Sequence, residues 1–529
     1  ADDGGGHHPR RAAHRAAGVR PGQGRHRPSR PHGDPLGRLP GHLAAGTRRL
    51  HLPPRSGRGI GVRKLSMLKV SPRHVAKADP GLVPAALWTR SYLAAVRETK
   101  GVGELTLCLT RPDGTASRHV TLVPAPGALD AEAWRHVERT VKFLLWSRGG
   151  EKVLLAGARA EEYARLLGAC YSPGGERAFD ADFNLRLFEK PLTFSAVQRG
   201  ALPPESSGHV RLGRHLGGCR IGFDLGGSDR KCAAVIDGRV VHSEEIKWDP
   251  YFQTDPAYHL EGIRDSLRRA AAHLPRVDAI GGSSAGVFIA NRTRVSSLFR
   301  GITDRRVFDR EVKGLFLRLA EEWKVPFEVL NDGDVTALAA SMSMNRNAVL
   351  GVAMGTSVAA GYVDRSGNLT NWLSELAFVP VDYRADAPAD EWSGDRGCSV
   401  QYFSQQAAGR LLPAAGIELP AGMKLPERLE ALQELMKKGD PRAAQVYEAV
   451  GVAFGYAIAH FSDFYDFDAI LSMGRVTTGA GGDLVSRLAA KVLADEFPEL
   501  RVDILAPDEK DKRHGQAVAA ASLAPLPRT

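Results

Sequence analysis

The chain has 529 residues, too many for one hydrophobic core and enough for about two to four units of ordinary domain size. With 43% hydrophobic and 25% charged residues it has the composition of a globular protein, and the lack of any apolar run of about 18 residues excludes a membrane-spanning helix. The net charge of +11 is misleading, because residues 1–60 carry twelve Arg and three Asp and so hold nine of those charges; the near-neutral remainder gives no charge argument for nucleic-acid binding.

Residues 1–66 are rich in Arg, His, Pro and Gly, hold no aromatic residue and have no lysine before Lys64. Such a segment buries too little surface to offset its ordering entropy, so a disordered basic tail is expected. It lacks the basic-then-apolar layout of a secretory leader. A basic arm touching nucleic acid, a transit peptide and a tail without function, with Met67 as the natural start, remain three readings of it.

Residues 67–216 read as a small α/β domain of unknown role. Gly103–Thr110 is a predicted strand, Pro112-Asp113-Gly114 a turn and His119–Val123 the returning strand. Asp130–Trp146 has helical periodicity, with Trp134, Val137, Val141, Leu144 and Leu145 on one face. Gly149-Gly150 ends it, Lys152–Ala156 reads as a strand and Ala160–Leu167 as a helix. His119 and His136 have no carboxylate or cysteine spaced with them and are expected at surface or core positions rather than as ligands. Ala201–Ser207 reads as a linker. The five cysteines, at 108, 170, 219, 232 and 398, include no CxxC pair. They argue against a disulfide framework or a cysteine-rich zinc site and fit a reducing cytoplasm.

From Cys219 onward strands alternate with helices, an α/β pattern. Three glycine turns stand out. In Ile221-Gly222-Phe223-Asp224-Leu225-Gly226-Gly227-Ser228 an apolar strand carries a carboxylate into a turn whose backbone N–H groups can bind phosphate. Asp224 can hold Mg²⁺ through water. A plain hairpin explains the same residues. A second turn, Met354-Gly355-Thr356-Ser357, lies between the predicted strands Ala348–Ala353 and Gly361–Val363. A third segment, Ser472-Met473-Gly474 through Gly479-Ala480-Gly481-Gly482, leads to a predicted helix Asp483–Leu493 and leaves room for a flat adenine. Ordinary tight connections account for each of these taken alone.

Between the first two turns the strand Phe327–Leu330 delivers Asn331-Asp332 to a small-residue helix. Transfer of a phosphoryl group to a hydroxyl needs a base and an aligned acceptor. Asp332 is the candidate base; Asp334 reads as a helix cap or first-turn charge.

The order of these segments resembles the ATPase superfold of actin, hexokinase and Hsp70, and Asn331-Asp332 before an Ala-rich helix resembles the ROK family of sugar kinases. The resemblance implies an α/β, two-lobed actin-like (ribonuclease H-like) fold, with lobe 1 at 217–350, lobe 2 at 351–529 and ATP with Mg²⁺ in the cleft. It implies that Asp332 is the general base and that Asn331, Glu375 and Ser284, in the loop Gly281-Gly282-Ser283-Ser284-Ala285-Gly286, face a sugar. Gly226, Gly227, Ser228, Gly355 and Thr356 would cradle phosphates, and Gly474, Gly479, Gly481 and Gly482 would shape the adenosine site. The stretch Lys512–Leu523 resembles the family's closing helix, which packs back on lobe 1. Homodimers are a family expectation, and so are repressors that share the scaffold; a partner-driving ATPase of the same superfold is a third reading.

The departures are as informative. The family's Glu-x-Gly-His is Glu375-Leu376-Ala377-Phe378 here. Its Cys-x-Cys-Gly-x-x-Gly-Cys-x-Glu segment keeps only Gly394-Asp395-Arg396-Gly397-Cys398, and its second sugar-binding Glu is Val400. With Cys398 the sole survivor of four ligands, no zinc is expected, and Phe378 and Trp392 are expected to pack in its place. An acceptor with fewer hydroxyls or an apolar substituent fits such a pocket.

Overall fold

The computed structural model describes residues 68–206, 212–506 and 512–527, with the side chains of 512–514 outside that set. The basic tail 1–66 lies outside the described residues.

The first sheet has the strand order β2-β1-β3-β4, from β1 (Gly103–Thr110), β2 (Ala116–Val123), β3 (Lys152–Gly157) and β4 (Thr193–Ala196). β2 begins three residues before the expected strand because Arg111 donates to Thr115 and Ser117 and holds the strand start in register. Helices α1 (Ala85–Arg97), α2 (Asp130–Arg148), α3 (Ala160–Cys170) and α4 (Ala178–Phe188) accompany it. α2 follows the apolar period of the sequence, yet its polar side is buried as well, including Glu138, Arg139 and Lys142. His136 is buried against Thr121 Oγ1 at 2.7 Å and His119 stacks on Phe464.

The second sheet has the order β11-β8-β5-β6-β7, from β5 (Cys219–Leu225), β6 (Asp229–Ile236), β7 (Arg239–Lys247), β8 (Ala279–Ser284) and β11 (Phe327–Asn331). β5, β6 and β7 form an antiparallel meander, and β5, β8 and β11 run parallel. The hairpin β9 (Val287–Ile289) and β10 (Arg292–Val295) stands beside it, with α5 (Pro256–Ala271), the short α6 (Arg305–Val307) and α7 (Leu315–Trp323). The third sheet has the order β13-β12-β14-β15, from β12 (Val349–Met354), β13 (Val358–Val363), β14 (Ala469–Met473) and β15 (Asp503–Leu505). Its helices are α9 (Gln405–Ala414), α10 (Leu425–Lys437), α11 (Pro441–Phe461) and α12 (Gly479–Glu496). These two sheets with their helices form two α/β lobes, preceded by the N-terminal α/β region.

Two helices tie the lobes together. α8 (Asp332–Ser343) leaves β11 and packs on β12 and β13, and α13 (Lys512–Ala521) packs on α8, β5 and β8. Both approaches need bare backbone. A Cβ on Gly222 or Gly281 would run into the Ala517 or Ala520 carbonyl of α13, and one on Gly361 into the Gly333 carbonyl of α8. The C-terminal helix thus lies directly on the backbone of β5 and β8.

The N-terminal region shares its core with lobe 2. Leu105, Val141, Phe143 and Val153 belong to the same buried cluster as Phe403, Phe454, Tyr447 and Val485.

Gly281→Val is expected to lift α13 from β8 and lower stability by about 1–3 kcal/mol in urea denaturation. Gly174→Ala, where a Cβ meets nothing within 4 Å, should leave the midpoint unchanged.

Candidate active site

The parallel strands of lobe 1 end side by side. Register places Asp224 opposite Ser283, and Leu225 and Asn331 on either side of Ser284. Ligands of parallel α/β sheets gather at such carboxyl ends. Asp224 accepts a 2.7 Å hydrogen bond from Ser283 Oγ. Across the hairpin, Lys231 brings Nζ to 3.8 Å from Asp224 and 3.3 Å from Asp229. Burial pushes the Asp224 carboxyl up, against Ser283 and Lys231. Lys231 was legible in the sequence by counting across the turn, since a tight hairpin at Gly226–Ser228 makes it the partner of Asp224.

The first glycine turn is braced from behind. The Gly226 N–H donates to the Asp229 carbonyl at 2.9 Å, and Trp248 Nε1 donates to the Gly226 carbonyl at 2.8 Å. Tyr251 occupies the space a Cβ on Gly227 would need. Ser228 Oγ donates to Asp229 at 2.8 Å.

Asn331 caps α8. Its Oδ1 accepts from the Gly333 N–H and its Nδ2 donates to the Gly286 carbonyl, both at 2.7 Å, which leaves one amide N–H over. Asp332 opens the helix, and burial followed by the charge of Asp224 pushes its pKa up to about 6. Glu375, from lobe 2, is pushed up to about 7 by burial and by Asp332. Burial, then Glu375 and Asp332, drives Asp334 well above the usual carboxylate range. Asp224, Asp332, Asp334 and Glu375 are thus one group of electrostatically coupled acids drawn from both lobes. Beside them Ser284 is fully buried, and its Oγ has no hydrogen-bond partner among the described residues.

The second and third glycine segments meet each other at the end of the lobe 2 sheet. β12 and β14 are parallel, with Ala353 opposite Met473. Gly474, at φ 96°, lies against the Met354 backbone where a Cβ would clash. The Gly355 carbonyl accepts from the Gln405 N–H at 2.9 Å, and Gln405 Oε1 lies 3.5 Å from Thr356 Oγ1. α12 starts at Gly479, four residues earlier than the expected helix start. Packing accounts for two of its glycines: a Cβ on Gly481 would strike the Tyr447 ring, and one on Gly482 the Thr477 carbonyl. No hydrogen bond among the described residues joins Gly226–Ser228 to Gly355–Thr356.

The N-terminal region supplies what sequence reading missed. The Trp146 and Ser147 carbonyls at the end of α2 accept from the N–H groups of Glu375 and Ser374 at 3.0 and 2.9 Å. Phe378 packs on Trp146 at 4.3 Å and on Trp392 at 5.5 Å between ring centroids, and Phe183 joins them. Nearby, Asp395 pairs with Arg177 at 2.7 Å and with Lys142 and Arg139 at 3.1 Å each; Lys142 also pairs with Asp180 at 2.7 Å. Burial alone would push Lys142 down, but Asp180 and Asp395 outweigh it; the same cations overcome burial at Asp395 and hold it well below the usual carboxylate range. Cys398 is buried with Sγ 3.8 Å from Asp395. A phenyl ring, an ion-paired Asp and one thiol do not make the tetrahedral N/S set of structural zinc. Among the described residues no three His, Cys, Asp or Glu side chains gather as metal ligands, and no helix is long and apolar enough to cross a membrane.

Residues 220–525 match the model of the ROK family, and the chain belongs to that family. A ROK hexokinase from Thermus thermophilus is 18% identical, over 58% of this chain and 97% of its own, with a TM-score of 0.47. A ROK glucokinase from Streptomyces griseus, solved with glucose and AMPPNP, is 20% identical over 58% of this chain and 99% of its own, with a TM-score of 0.43. A ROK transcriptional regulator homologous to E. coli MLC is 18% identical over 58% of this chain and 79% of its own, with a TM-score of 0.45. Among curated proteins no match is found.

Lys142→Met leaves Asp180 and Asp395 short of a cation in a dry interior and is expected to cost about 3–5 kcal/mol in guanidinium unfolding. Glu375 binds its proton more tightly folded than unfolded, so its contribution falls as pH rises from the ordinary glutamate value of 4.5 towards 7 and stays low above it. Glu375→Gln should remove that decline from the stability-against-pH curve.

Proposed function

We propose that the protein is an ATP-dependent kinase for a hydroxyl of a sugar or sugar derivative. The observation that carries this is Asp332, a half-buried carboxyl that opens α8 just after β11, with its pKa raised to about 6 and coupled to Asp224 on one side and Glu375 on the other. A base with that pKa is mostly ionised at neutral pH and still accepts a proton well.

The residues fit a magnesium nucleotide. Asp224 and Asp332 repel one another and Lys231 compensates only part of that charge, so a divalent ion held through water at Asp224 relieves the rest. Bound there, Mg²⁺ would neutralise charge on the nucleotide phosphates. The Gly227 N–H, with Ser228 and Thr356, holds the phosphates in turns that Gly226 and Gly355 close through their own N–H groups, donated to the Asp229 and Ser357 carbonyls; the loop from Gly474 to Gly479, with Gly481 and Gly482 opening α12, flanks the adenosine.

Glu375, the spare Asn331 amide N–H and the unpartnered Ser284 hydroxyl orient the acceptor. Asp332 takes the hydroxyl proton as the acceptor oxygen bonds to the γ-phosphorus and the bond to the ADP oxygen breaks. The acceptor has fewer hydroxyls than glucose or an apolar substituent, because Phe378 and Val400 are buried apolar groups at positions where the family has His and Glu.

The first test is ATP consumption against hexoses, N-acetylhexosamines and deoxysugars. Sugar-dependent turnover is expected, falling about 10²–10⁴-fold in Asp332→Asn. Turnover with no sugar, in a protein that binds AMPPNP, would sink the reading in favour of a ROK regulator or a partner-driving ATPase. In an active protein, kcat/KM should fall on the acid side with an apparent pKa near 6, as Asp332 becomes protonated.

A further inference from the structure

A cavity of 380 Å³ opens between α2, the turn at Glu176-Arg177 and the loop from Arg384 to Arg396. It lies where the N-terminal region meets lobe 2, and none of its walls contains a glycine turn or acid of the candidate active site. Its walls carry the guanidinium groups of Arg135, Arg139, Arg177, Arg384 and Arg396. Three carboxylates face it, Glu138, Glu176 and Asp395, so the lining holds two positive charges in excess.

Pairing rather than the net count singles out two of these guanidinium groups. Arg139 and Arg177 are spent on Glu138 and Asp395, and Arg384 on Asp79 and Asp382 outside the lining. Arg135 and Arg396 have no carboxylate partner among the described residues; each donates to a backbone carbonyl, Arg135 to Tyr383 and Arg396 to Ala387. Burial, reinforced by Arg139, lowers the Arg135 pKa, the mark of a cation short of a counter-charge. Arg177 is only 3% exposed, yet its Nη2 makes no hydrogen bond; it lies 3.1 Å from the Glu176 carboxylate, whose side chain is 68% exposed and free to swing away.

We propose that this cavity binds a small phosphorylated anion, a phosphate monoester or diphosphate. A guanidinium fork matches phosphate oxygens two at a time. A dianion would neutralise the two unpaired arginines, and the volume leaves space for a small organic group beside the phosphate. Because Asp395 forms part of the wall and pairs with Lys142, an occupant would also press on the loop that leads to Cys398 and Ser399, which donates to the carbonyl of Leu376 beside Glu375. The proposal does not depend on the kinase reading.

The test is calorimetric titration of the full chain with inorganic phosphate, pyrophosphate and a hexose phosphate. Saturating binding is expected, weakened about tenfold or more in Arg396→Gln and in Arg135→Gln, each of which removes a charge-assisted hydrogen bond. Arg135→Lys should recover only part of it, since the fork is lost while the charge stays. Arg396 is exposed, so its variant should unfold at the temperature of the parent. Absence of binding overturns the proposal. So does binding unchanged in both glutamine variants, which would place the anion at the glycine turns of the cleft. A chain that binds the anion through these arginines but consumes no ATP would retire the kinase reading and leave this one standing.

Discussion

The structure depends on how closely two helices approach two sheets. α8 meets β13 backbone to backbone where Gly333 faces Gly361, and α13 lies on β5 and β8 over Gly222 and Gly281. Side chains at these points would hold the lobes apart. Asp332 is the residue just before Gly333, so the contact that joins the lobes also sets the acid beside Glu375 of lobe 2. The lobe-joining contact and the candidate base share one turn of helix, and a change that loosens the first is expected to displace the second.

That arrangement concentrates like charge. Four carboxyl groups sit together in a poorly solvated cleft, and burial first, with mutual repulsion second, raises the pKa values of Asp332, Asp334 and Glu375. Burial without a compensating cation costs stability, and proteins retain such groups where they serve ligands or proton transfer. Lys231 supplies one positive charge near Asp224, and the remaining acids have no cation beside them among the described residues.

Elsewhere a loop is held by buried ion pairs and aromatic packing. The segment that resembles the family's zinc loop is pinned at Asp395 by Lys142, Arg139 and Arg177 from the N-terminal region, and is roofed by Trp146, Phe183, Phe378 and Trp392. A buried ion cluster contributes little net stability over an apolar core, but breaking it is costly, so it holds one loop geometry against alternatives. The same region offers the Trp146 carbonyl to the backbone of Glu375. The N-terminal α/β region is therefore a wall of the site rather than an appendage.

The sequence by itself determined the local elements and the order of the site segments. Alternation and turn residues placed β1 residue for residue; the strand ending in Asp224-Leu225-Gly226-Gly227 and the Asn331-Asp332 entry to α8 were legible because strand ends, glycine turns and caps are written in neighbouring residues. Glycines needed for a positive φ and glycines needed for side-chain packing look alike in one dimension, so Gly481 and Gly482 could not be told apart from Gly474. Only the tertiary structure decided that α2 buries its charged face, that Asp395 takes three cations from more than two hundred residues away, and that Ser283 rather than a neighbour along the chain holds Asp224. Periodicity reports which side of a helix is apolar. It does not report whether the polar side will find partners, because those partners lie far along the chain and are brought near only when the whole core closes.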